Sequence, residues 1–350
     1  MVALPLALAM GVSSGAGPIA GIYGAIFVGL FAALFGGTPA QVSGPTGPMT
    51  VVMAAIFTQY TSMFPDNPEY SAALAFTVVI MGGLLQIVFG LLKLGRFINL
   101  IPHPVISGFM SGIGVIIILL QLGPLFGHTA QPGPLASINA IPDMLAAPVT
   151  SALMMGGLAL LIVYFLPKSI NRILPSPLLA LIIGTLVLFF WQGGEITNTM
   201  VDGKTLYMMG DVSVLGNIPT GIPSPSWPVF ELELLVEMTK SALILAALGS
   251  IDSLLTSLVA DNVTHTYHRS NRELIGQGIG NTVAGLFGGL PGAGATMRTV
   301  VNVRAGGLTP ISGALHALVL LAIVLGAGGF TRYIPHALRA GIPVTVGSGL

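Results

Sequence analysis

The sequence LFGGTP at residues 34–39 returns as LFGGLP at residues 286–291. Each copy follows a long apolar segment and leads into a short segment rich in Gly, Pro and Thr, which begins SGPTGPMT at residue 43 and GAGATMRT at residue 292. Six similar residues could match by chance in a chain with 47 Gly. The shared downstream pattern favours a true internal repeat.

The composition indicates a polytopic α-helical membrane protein. Hydrophobic residues make up 53% of the 350 residues and charged residues only 7%, whereas a soluble domain carries about 25% charged residues. Lipid is the simplest solvent that tolerates so apolar a surface. The formal net charge is zero and no basic run is present, so no nucleic acid partner is expected. The chain has no Cys, which excludes disulfides, thiolate metal sites and Cys nucleophiles within it.

Apolar segments predict about twelve membrane spans, because one helical crossing needs about 20 apolar residues. Two of them, at residues 45–60 and 295–305, are short and interrupted by Gly or Pro, and they are predicted to be half-helices. The count places the two repeat copies on opposite sides of the membrane, as in inverted-repeat proteins whose broken helices meet near the midplane. The other ten spans are predicted at residues 1–14, 18–35, 71–92, 104–125, 147–166, 175–192, 236–260, 272–288, 311–328 and 333–347.

The basic residues orient the chain in the bilayer. When the first span runs from inside to outside, six Lys and Arg residues fall in cytoplasmic loops, and the polar stretch 193–235 falls outside. We predict a first inverted repeat at residues 1–192, an extracytoplasmic loop without a second domain at 193–235, and an incomplete second repeat at 236–350. The six basic residues are Lys93, Arg96, Lys168, Arg172, Arg269 and Arg272.

The two half-helix starts are predicted to bind an anion. A helix N-terminus leaves its first N–H groups unpaired and carries about half a positive charge. Two such ends that face one cavity form an anion site without a charged side chain. Gly47 and Gly294 let the backbone approach a ligand closely, and Thr46 and Thr296 each offer a hydroxyl. The alternative is that these small residues only serve helix packing.

Two charged residues lie within apolar segments. Arg298 costs about 2.5–3.5 kcal/mol at the bilayer centre, so it is predicted to hold the anion or to fix a carboxylate, unless it snorkels to the surface with Arg304. Asp252 is the only acid deep in an apolar segment, and Thr256 shares its helix face. A carboxylate with a hydroxyl suits a small cation or a proton. The alternative is a structural pair of Asp252 with Arg298 or with a backbone N–H.

The remaining polar residues do not predict an enzyme. The spans hold one deep Asp, and no Ser stands in a catalytic motif. His265 and His268 lie in a polar loop where a metal site is not expected, and His316 lies inside an apolar span, where packing is the simpler role. A channel stays open as an alternative, although a lone deep carboxylate favours a carrier.

The chain resembles the SulP family of sulfate and anion transporters. The resemblance is strongest from GQGIGN at residues 276–281 to RAGG at residues 304–307, and VNVRAG at residues 301–306 is a specific signal. It covers essentially the whole chain, and it is greatest to the sodium-dependent bicarbonate transporters within the family. It implies a seven-plus-seven inverted repeat with core and gate domains, an elevator mechanism, and a short β-strand before each half-helix.

The resemblance also implies roles for individual residues. Thr46, Gly294, Ala295 and Thr296 would surround the anion and sodium sites. Asp252 and Thr256 would bind sodium.

Two features depart from the family pattern. Arg298 is typical of the wider family, but its bicarbonate transporters have Gly there, which leaves sulfate open as a substrate. About twelve spans are present where the pattern needs fourteen, and the cytoplasmic STAS domain is absent. The chain is therefore expected to be part of a longer protein.

The sequence predicts a secondary active transporter of a small inorganic oxyanion, with sodium-coupled bicarbonate uptake as the leading hypothesis. The alternatives are a proton-coupled sulfate permease, an anion exchanger and, in another class, an anion channel. No cofactor is expected beyond sodium as the coupling ion. The expected location is the bacterial inner membrane as a multi-pass protein, and a homodimer is the candidate assembly.

Overall fold

The protein is described by a computed structural model that contains fourteen α-helices and five β-strands within the described residues. Lys168 and Arg172 of the predicted cytoplasmic loops lie outside the described residues. The described residues are 3–100, 103–129, 131, 134–167, 170, 176–201, 204–215 and 224–347.

A helix lies in each of the twelve segments predicted to span the membrane, with two additional short helices, α6 and α7. Three segments, Pro18–Phe35, Pro68–Leu91 and Leu232–Thr264, are long and apolar enough to cross a membrane by length and composition, among the described residues. The helices are α1 (Ala3–Ser13), α2 (Pro18–Phe35), α3 (Gly47–Met63), α4 (Pro68–Leu91), α5 (His103–Leu125), α6 (Pro134–Asn139), α7 (Ile141–Ala146), α8 (Thr150–Phe165), α9 (Ser176–Trp191), α10 (Leu235–Thr264), α11 (Ser270–Leu286), α12 (Thr296–Arg304), α13 (Pro310–Thr331) and α14 (His336–Gly347).

Proline marks the beginning of several helices. Pro18, Pro48 and Pro68 stand in the first turn of α2, α3 and α4. Proline is tolerated there because the N–H that it lacks has no partner within the helix. Two 3-10 helices, Leu94–Leu100 and Leu232–Leu234, complete the helical segments.

The predicted extracytoplasmic loop contains a small antiparallel sheet that the sequence did not predict. It consists of β2 (Thr197–Val201), β3 (Lys204–Met209) and β4 (Val212–Val214), in the order β2-β3-β4. A two-residue turn joins β3 to β4 and begins at Gly210, whose φ is 61°, the region that glycine adopts without strain.

The chain divides into two compact, discontinuous units. The first unit comprises Met1–Ala9, Met110–Gly221 and Ile323–Leu350. The second, which we call the site unit, comprises Met10–Phe109 and Ile222–Ala322 and holds both repeat copies. This division differs from the predicted boundaries at residues 192 and 235, which describe repeats and stay a prediction.

In the first unit, the small sheet is joined to the helices. The Leu215 N–H donates to the Ile334 carbonyl at 3.0 Å, just before α14. The Ser151 hydroxyl of α8 donates to the Asp211 carboxylate at 2.5 Å. The sheet is therefore part of this unit and not a separate domain.

In the site unit, α11 packs tightly against α2 and α4 through small residues. A Cβ atom placed on Gly278 would lie 2.6 Å from the Gly83 carbonyl oxygen, and one placed on Gly280 would lie 3.0 Å from the Val28 Cα. These glycines serve helix packing, as small residues do in membranes. The apolar core beside them is built mainly from α3, α4 and α10, with Met49, Met53, Leu74, Val78 and Leu245 among its members.

Candidate anion and cation site

The two repeat copies meet at a two-stranded antiparallel sheet, formed by β1 (Ser43–Gly44) and β5 (Ala293–Gly294). Ser43 lies opposite Gly294. The Ala295 N–H donates to the Val42 carbonyl at 2.9 Å, which extends the pairing by one residue. The strands expected before the two half-helices are therefore present: β1 leads into α3 and β5 leads into α12. Both helix N-termini lie next to the strand pair.

The start of α3 is buried and has no side-chain cap. Thr46 is the N-cap residue, its backbone is extended with a φ of −121°, and its side chain makes no capping hydrogen bond. Thr46 is 8% exposed, and its Oγ1 has no hydrogen-bond partner in the described part of the chain. Such a start leaves the N–H groups of the first turn open to an external acceptor.

The start of α12 is attached to α10. Ala295 is the N-cap residue, and it too provides no side-chain cap. The Thr256 hydroxyl of α10 donates to the Gly294 carbonyl at 2.9 Å and lies 2.8 Å from the Thr296 hydroxyl. Ser253 Oγ accepts the Gly294 N–H at 3.1 Å. These bonds hold the middle of α10 against the second helix start.

Asp252 lies on α10, one helical turn before Thr256, and is 5% exposed. Its carboxylate lies close to the Thr46 side chain of the first helix start. Its Oδ2 has no hydrogen-bond partner, and Asp252 forms no ion pair within the described residues. The predicted alternative, a structural pair with Arg298, is therefore not formed. A buried carboxylate oxygen without a partner is costly, which indicates a place for a cation or a proton.

Arg298 is buried at 6% exposure, so the snorkelling alternative is wrong. Its Nη2 donates to the Pro45 carbonyl at 2.7 Å, just before the first helix start, and its Nη1 has no partner among the described residues. A Cβ atom on Gly44, where φ is 153°, would lie 2.7 Å from that Nη1. The guanidinium thus lies against the backbone that leads into α3.

All predicted site residues fall within the site unit, around the strand pair, although their roles as ligands stay predictions. Those at the helix starts come from both repeats, and Asp252 and Thr256 come from α10. The eight residues are Thr46, Gly47, Asp252, Thr256, Gly294, Ala295, Thr296 and Arg298.

The sequence reasoning missed a buried polar stripe on α11. Glu273, Gln277 and Asn281 are spaced by four residues and are 1%, 0% and 2% exposed. Their hydrogen bonds reach the segments that lead into both half-helices. The sequence does contain a signal for this stripe. Polar residues recur every four positions within a predicted span, and this spacing places them on one helix face.

The histidines for which the sequence predicted no ligand role lie apart from the strand pair or at its margin. His268 Nδ1 lies 2.7 Å from Asp261 Oδ2, and His268 Nε2 lies 2.9 Å from Ser270 Oγ, so this residue braces the turn between α10 and α11. His316 lies on α13, where a Cβ atom on Gly29 would be 3.8 Å from its Cδ2.

A helical membrane chain whose two broken segments meet at one polar site has the architecture of a secondary transporter. The Sulfate permease family matches this chain over residues 1–350, and the chain belongs to that family. This confirms the resemblance found in the sequence. The chain is accordingly a multi-pass protein of the bacterial plasma membrane.

Several relatives are similar over nearly the whole chain. The Bicarbonate transporter BicA of Picosynechococcus sp. (strain ATCC 27264 / PCC 7002 / PR-6) is 47% identical over 99% of this chain and 59% of the relative. The protein of the same name from Synechocystis sp. (strain ATCC 27184 / PCC 6803 / Kazusa) is also 47% identical, over 99% of this chain and 58% of the relative. The Putative sulfate transporter YvdB of Bacillus subtilis (strain 168) is 33% identical, over 99% and 62%. The chain thus spans about three fifths of the length of these relatives.

Solved structures agree with the fold. The transmembrane domain of a cyanobacterium bicarbonate transporter BicA superimposes with a TM-score of 0.88 at 45% identity, over 99% of this chain and 84% of that chain. The structure of SLC26A9 has a TM-score of 0.82 at 18% identity, over 99% of this chain and 55% of that chain, and it shows the shared fold alone.

The contact between Gly44 and Arg298 predicts that Gly44→Ala destabilises the protein by about 1–3 kcal/mol, because the added methyl group overlaps the buried guanidinium. The measurement is the thermal unfolding temperature of the purified protein in detergent. Gly306→Ala is the matched control, since Gly306 has a positive φ of 93° but no atom within 4 Å of the added Cβ. Equal shifts for the two variants would contradict the placement of Arg298.

Proposed function

We propose that the chain is the membrane domain of a secondary active transporter that couples the uptake of a small inorganic oxyanion, bicarbonate in the first place, to sodium. The observation that carries this proposal is the buried Asp252 carboxylate, whose Oδ2 has no hydrogen-bond partner among the described residues, beside the two uncapped helix starts. The similarity to relatives named as bicarbonate transporters supports it.

The helix starts supply the anion site. Each helix N-terminus contributes about half a positive charge, so two together balance about one negative charge, which fits a monoanion such as bicarbonate. The N–H groups in the first turns of α3 and α12 would donate to its oxygens. Thr46 adds a hydroxyl at the start of α3. The burial of the site removes competing water, which strengthens these bonds.

The cation site would use oxygen atoms alone. Asp252 offers a carboxylate oxygen without a partner among the described residues, and the Thr256 hydroxyl lies one helical turn further along α10. The Gly294 carbonyl of β5 accepts that hydroxyl at 2.9 Å. Non-helical carbonyls beside broken helices are the ligands that coordinate sodium in transporters of this architecture. These residues fit sodium. When bound, sodium supplies a positive charge next to the ionised Asp252.

Coupling follows from the charges. The Asp252 carboxylate lies close to Thr46 at the first helix start, where its ionised form would oppose the entry of an anion. A sodium ion neutralises this carboxylate, so each ion strengthens the binding of the other. Reciprocal coupling between two sites is typically about 1–3 kcal/mol, or about 5–150-fold in affinity.

The transport cycle proposed for the whole protein is an elevator movement in a bacterial inner membrane, and the proposed assembly is a homodimer. The family consists of transporters, so no enzymatic activity is proposed. An ion channel is the alternative of another class. It differs from a carrier in conducting ions at rates far above those of a cycle that moves a whole domain.

A second candidate substrate is sulfate. The observation that favours it is Arg298, which adds a full positive charge beside the first helix start and keeps Nη1 free. A dianion would gain more from this charge than bicarbonate does. Sulfate uptake would take the form of a proton-coupled permease, with Asp252 as the proton carrier, or of anion exchange.

Sodium coupling predicts that Asp252→Asn abolishes the sodium dependence of uptake, because the neutral amide cannot hold the cation by charge. Labelled bicarbonate uptake by the full-length protein in vesicles, with and without a sodium gradient, is the measurement. Asp66→Asn, in the exposed turn before α4, is the control and should keep full dependence. Wild-type uptake that is equal without sodium would refute the coupling.

Arg298 predicts a change in anion preference. Arg298→Gly should lower sulfate uptake relative to bicarbonate uptake by about tenfold, since one charge-assisted hydrogen bond contributes about 1.5–3 kcal/mol. Competition between the two labelled anions measures the ratio. Arg304→Gly, at the exposed end of the same helix, should leave the ratio unchanged. An unchanged ratio in Arg298→Gly would exclude Arg298 from substrate selection.

A further inference from the structure

The polar stripe on α11 makes hydrogen bonds that leave its own helix. Glu273, Gln277 and Asn281 form three successive steps of one helix face. A buried polar residue that only satisfied itself would bond to its own helix, as the Thr282 hydroxyl does with the Gly278 carbonyl at 2.8 Å. The three stripe residues also bond to groups outside α11, among them the loops and strands next to both repeat copies.

Glu273 holds the loop of the first LFGGTP copy. Its Oε2 accepts the backbone N–H groups of Gly37 and Thr38 at 2.8 and 2.9 Å. Its Oε1 accepts the side-chain amides of Gln41 and Gln277, both at 2.8 Å. Among the described residues, no Lys or Arg forms an ion pair with it. Four donors aimed at two oxygens therefore require an acceptor in this position.

The side-chain amides of Gln41 and Gln277, which donate to Glu273, also contact the strand pair. Gln277 Nε2 also donates to Ser43 Oγ of β1 at 2.6 Å. Gln41 packs against β5, where a Cβ atom on Gly294 would lie 2.6 Å from its Cδ. Ser43 and Gly294 are register partners. Glu273 thus supports both sides of the same step of the strand pair.

Asn281 holds the second copy in the same manner. Its Oδ1 accepts the Gly292 N–H at 2.7 Å, and its Nδ2 donates to the Gly292 carbonyl at 3.0 Å and to Gln86 Oε1 at 2.9 Å. Gly292 directly precedes β5. The amide therefore fixes both backbone groups of the residue that enters the second half-helix segment.

We propose that the stripe Glu273–Gln277–Asn281 is a positioning element that holds the two half-helix N-termini in register for the transported anion. The stripe touches neither proposed ion site, and it acts through the loops and strands that it binds. The inference rests on the proposed function for the identity of the anion. The positioning itself can be measured without transport.

The experiment uses a pair of cysteines as a reporter of the strand register. Val42 and Ala295 are cross-strand neighbours, and such neighbours have Cβ atoms about 4.5–5.5 Å apart, close to the separation that a disulfide needs. The reporter is Val42→Cys with Ala295→Cys in a cysteine-free full-length protein. The rate of oxidative cross-linking in membranes is the readout.

Glu273→Gln should slow cross-linking about tenfold, because the new amide hydrogens face donors and leave buried groups unpaired. Adding Gln41→Glu should restore most of the rate. The carboxylate at position 41 then accepts from the amide at position 273 and still accepts the Ser257 hydroxyl, while a flip of the Gln277 side chain turns its unpaired Oε1 toward the same amide. Asn281→Ala, at the other end of the stripe, should also slow the reaction. Thr282→Val, whose hydroxyl bonds only its own helix, should cross-link at the parent rate.

The inference is overturned if Glu273→Gln and Asn281→Ala cross-link at the parent rate, or if Thr282→Val slows as much as they do. Failure of the Gln41→Glu exchange to restore a correctly inserted Glu273→Gln protein also overturns it. Uptake of labelled bicarbonate, measured without the reporter, separates the two claims. A parent without uptake refutes the proposed function, while the cross-linking rates still decide the positioning. With uptake present, Glu273→Gln should raise the KM for bicarbonate about tenfold, and the exchange should lower it again.

Discussion

The structure depends on one constraint: two helices begin inside an apolar environment, and their backbone polar groups must find partners there. Lipid offers no hydrogen bonds, so non-helical backbone at membrane depth must be enclosed by protein. The antiparallel pairing of Ser43–Gly44 with Ala293–Gly294 satisfies part of this need. Glu273 and Asn281 satisfy more of it in the two approaching loops. The N–H groups in the first turns of α3 and α12 lie beyond these partners, and they form the proposed anion site.

The charged residues follow the same logic. Arg298 and Asp252 are both buried, and each keeps one side-chain atom without a partner in the described chain. Protein interiors seldom leave such atoms unpaired, and those that persist often serve a ligand. Arg298 is bound to the backbone before the first helix start, whereas Asp252 lies close to Thr46 at that start. Opposite charges that surround one strand pair without forming an ion pair leave room for an anion and a cation to complete the site.

The sequence predicted the parts of the fold that have local signals. The repeated LFGG motif located both broken helices, and isolated charges in apolar segments identified Asp252 and Arg298. The stripe on α11 was missed for a physical reason. Glu273 lies in the first turn of its helix, where an acidic residue ordinarily complements the helix dipole, and its partners Gly37 and Thr38 are 236 and 235 residues away. The small sheet at residues 197–214 was missed because short strands in a polar loop give weak alternation.

The proposed anion site lies between the two half-helix N-termini. Solid-state NMR on the full-length protein in lipid, with 13C-labelled bicarbonate and 15N-labelled Gly47 and Thr296, tests it most directly. With sodium present, the bicarbonate carbon should lie about 4 Å from both backbone nitrogens, as expected when each N–H donates to an oxygen of the anion. Bound bicarbonate that shows dipolar coupling to neither nitrogen would contradict the account.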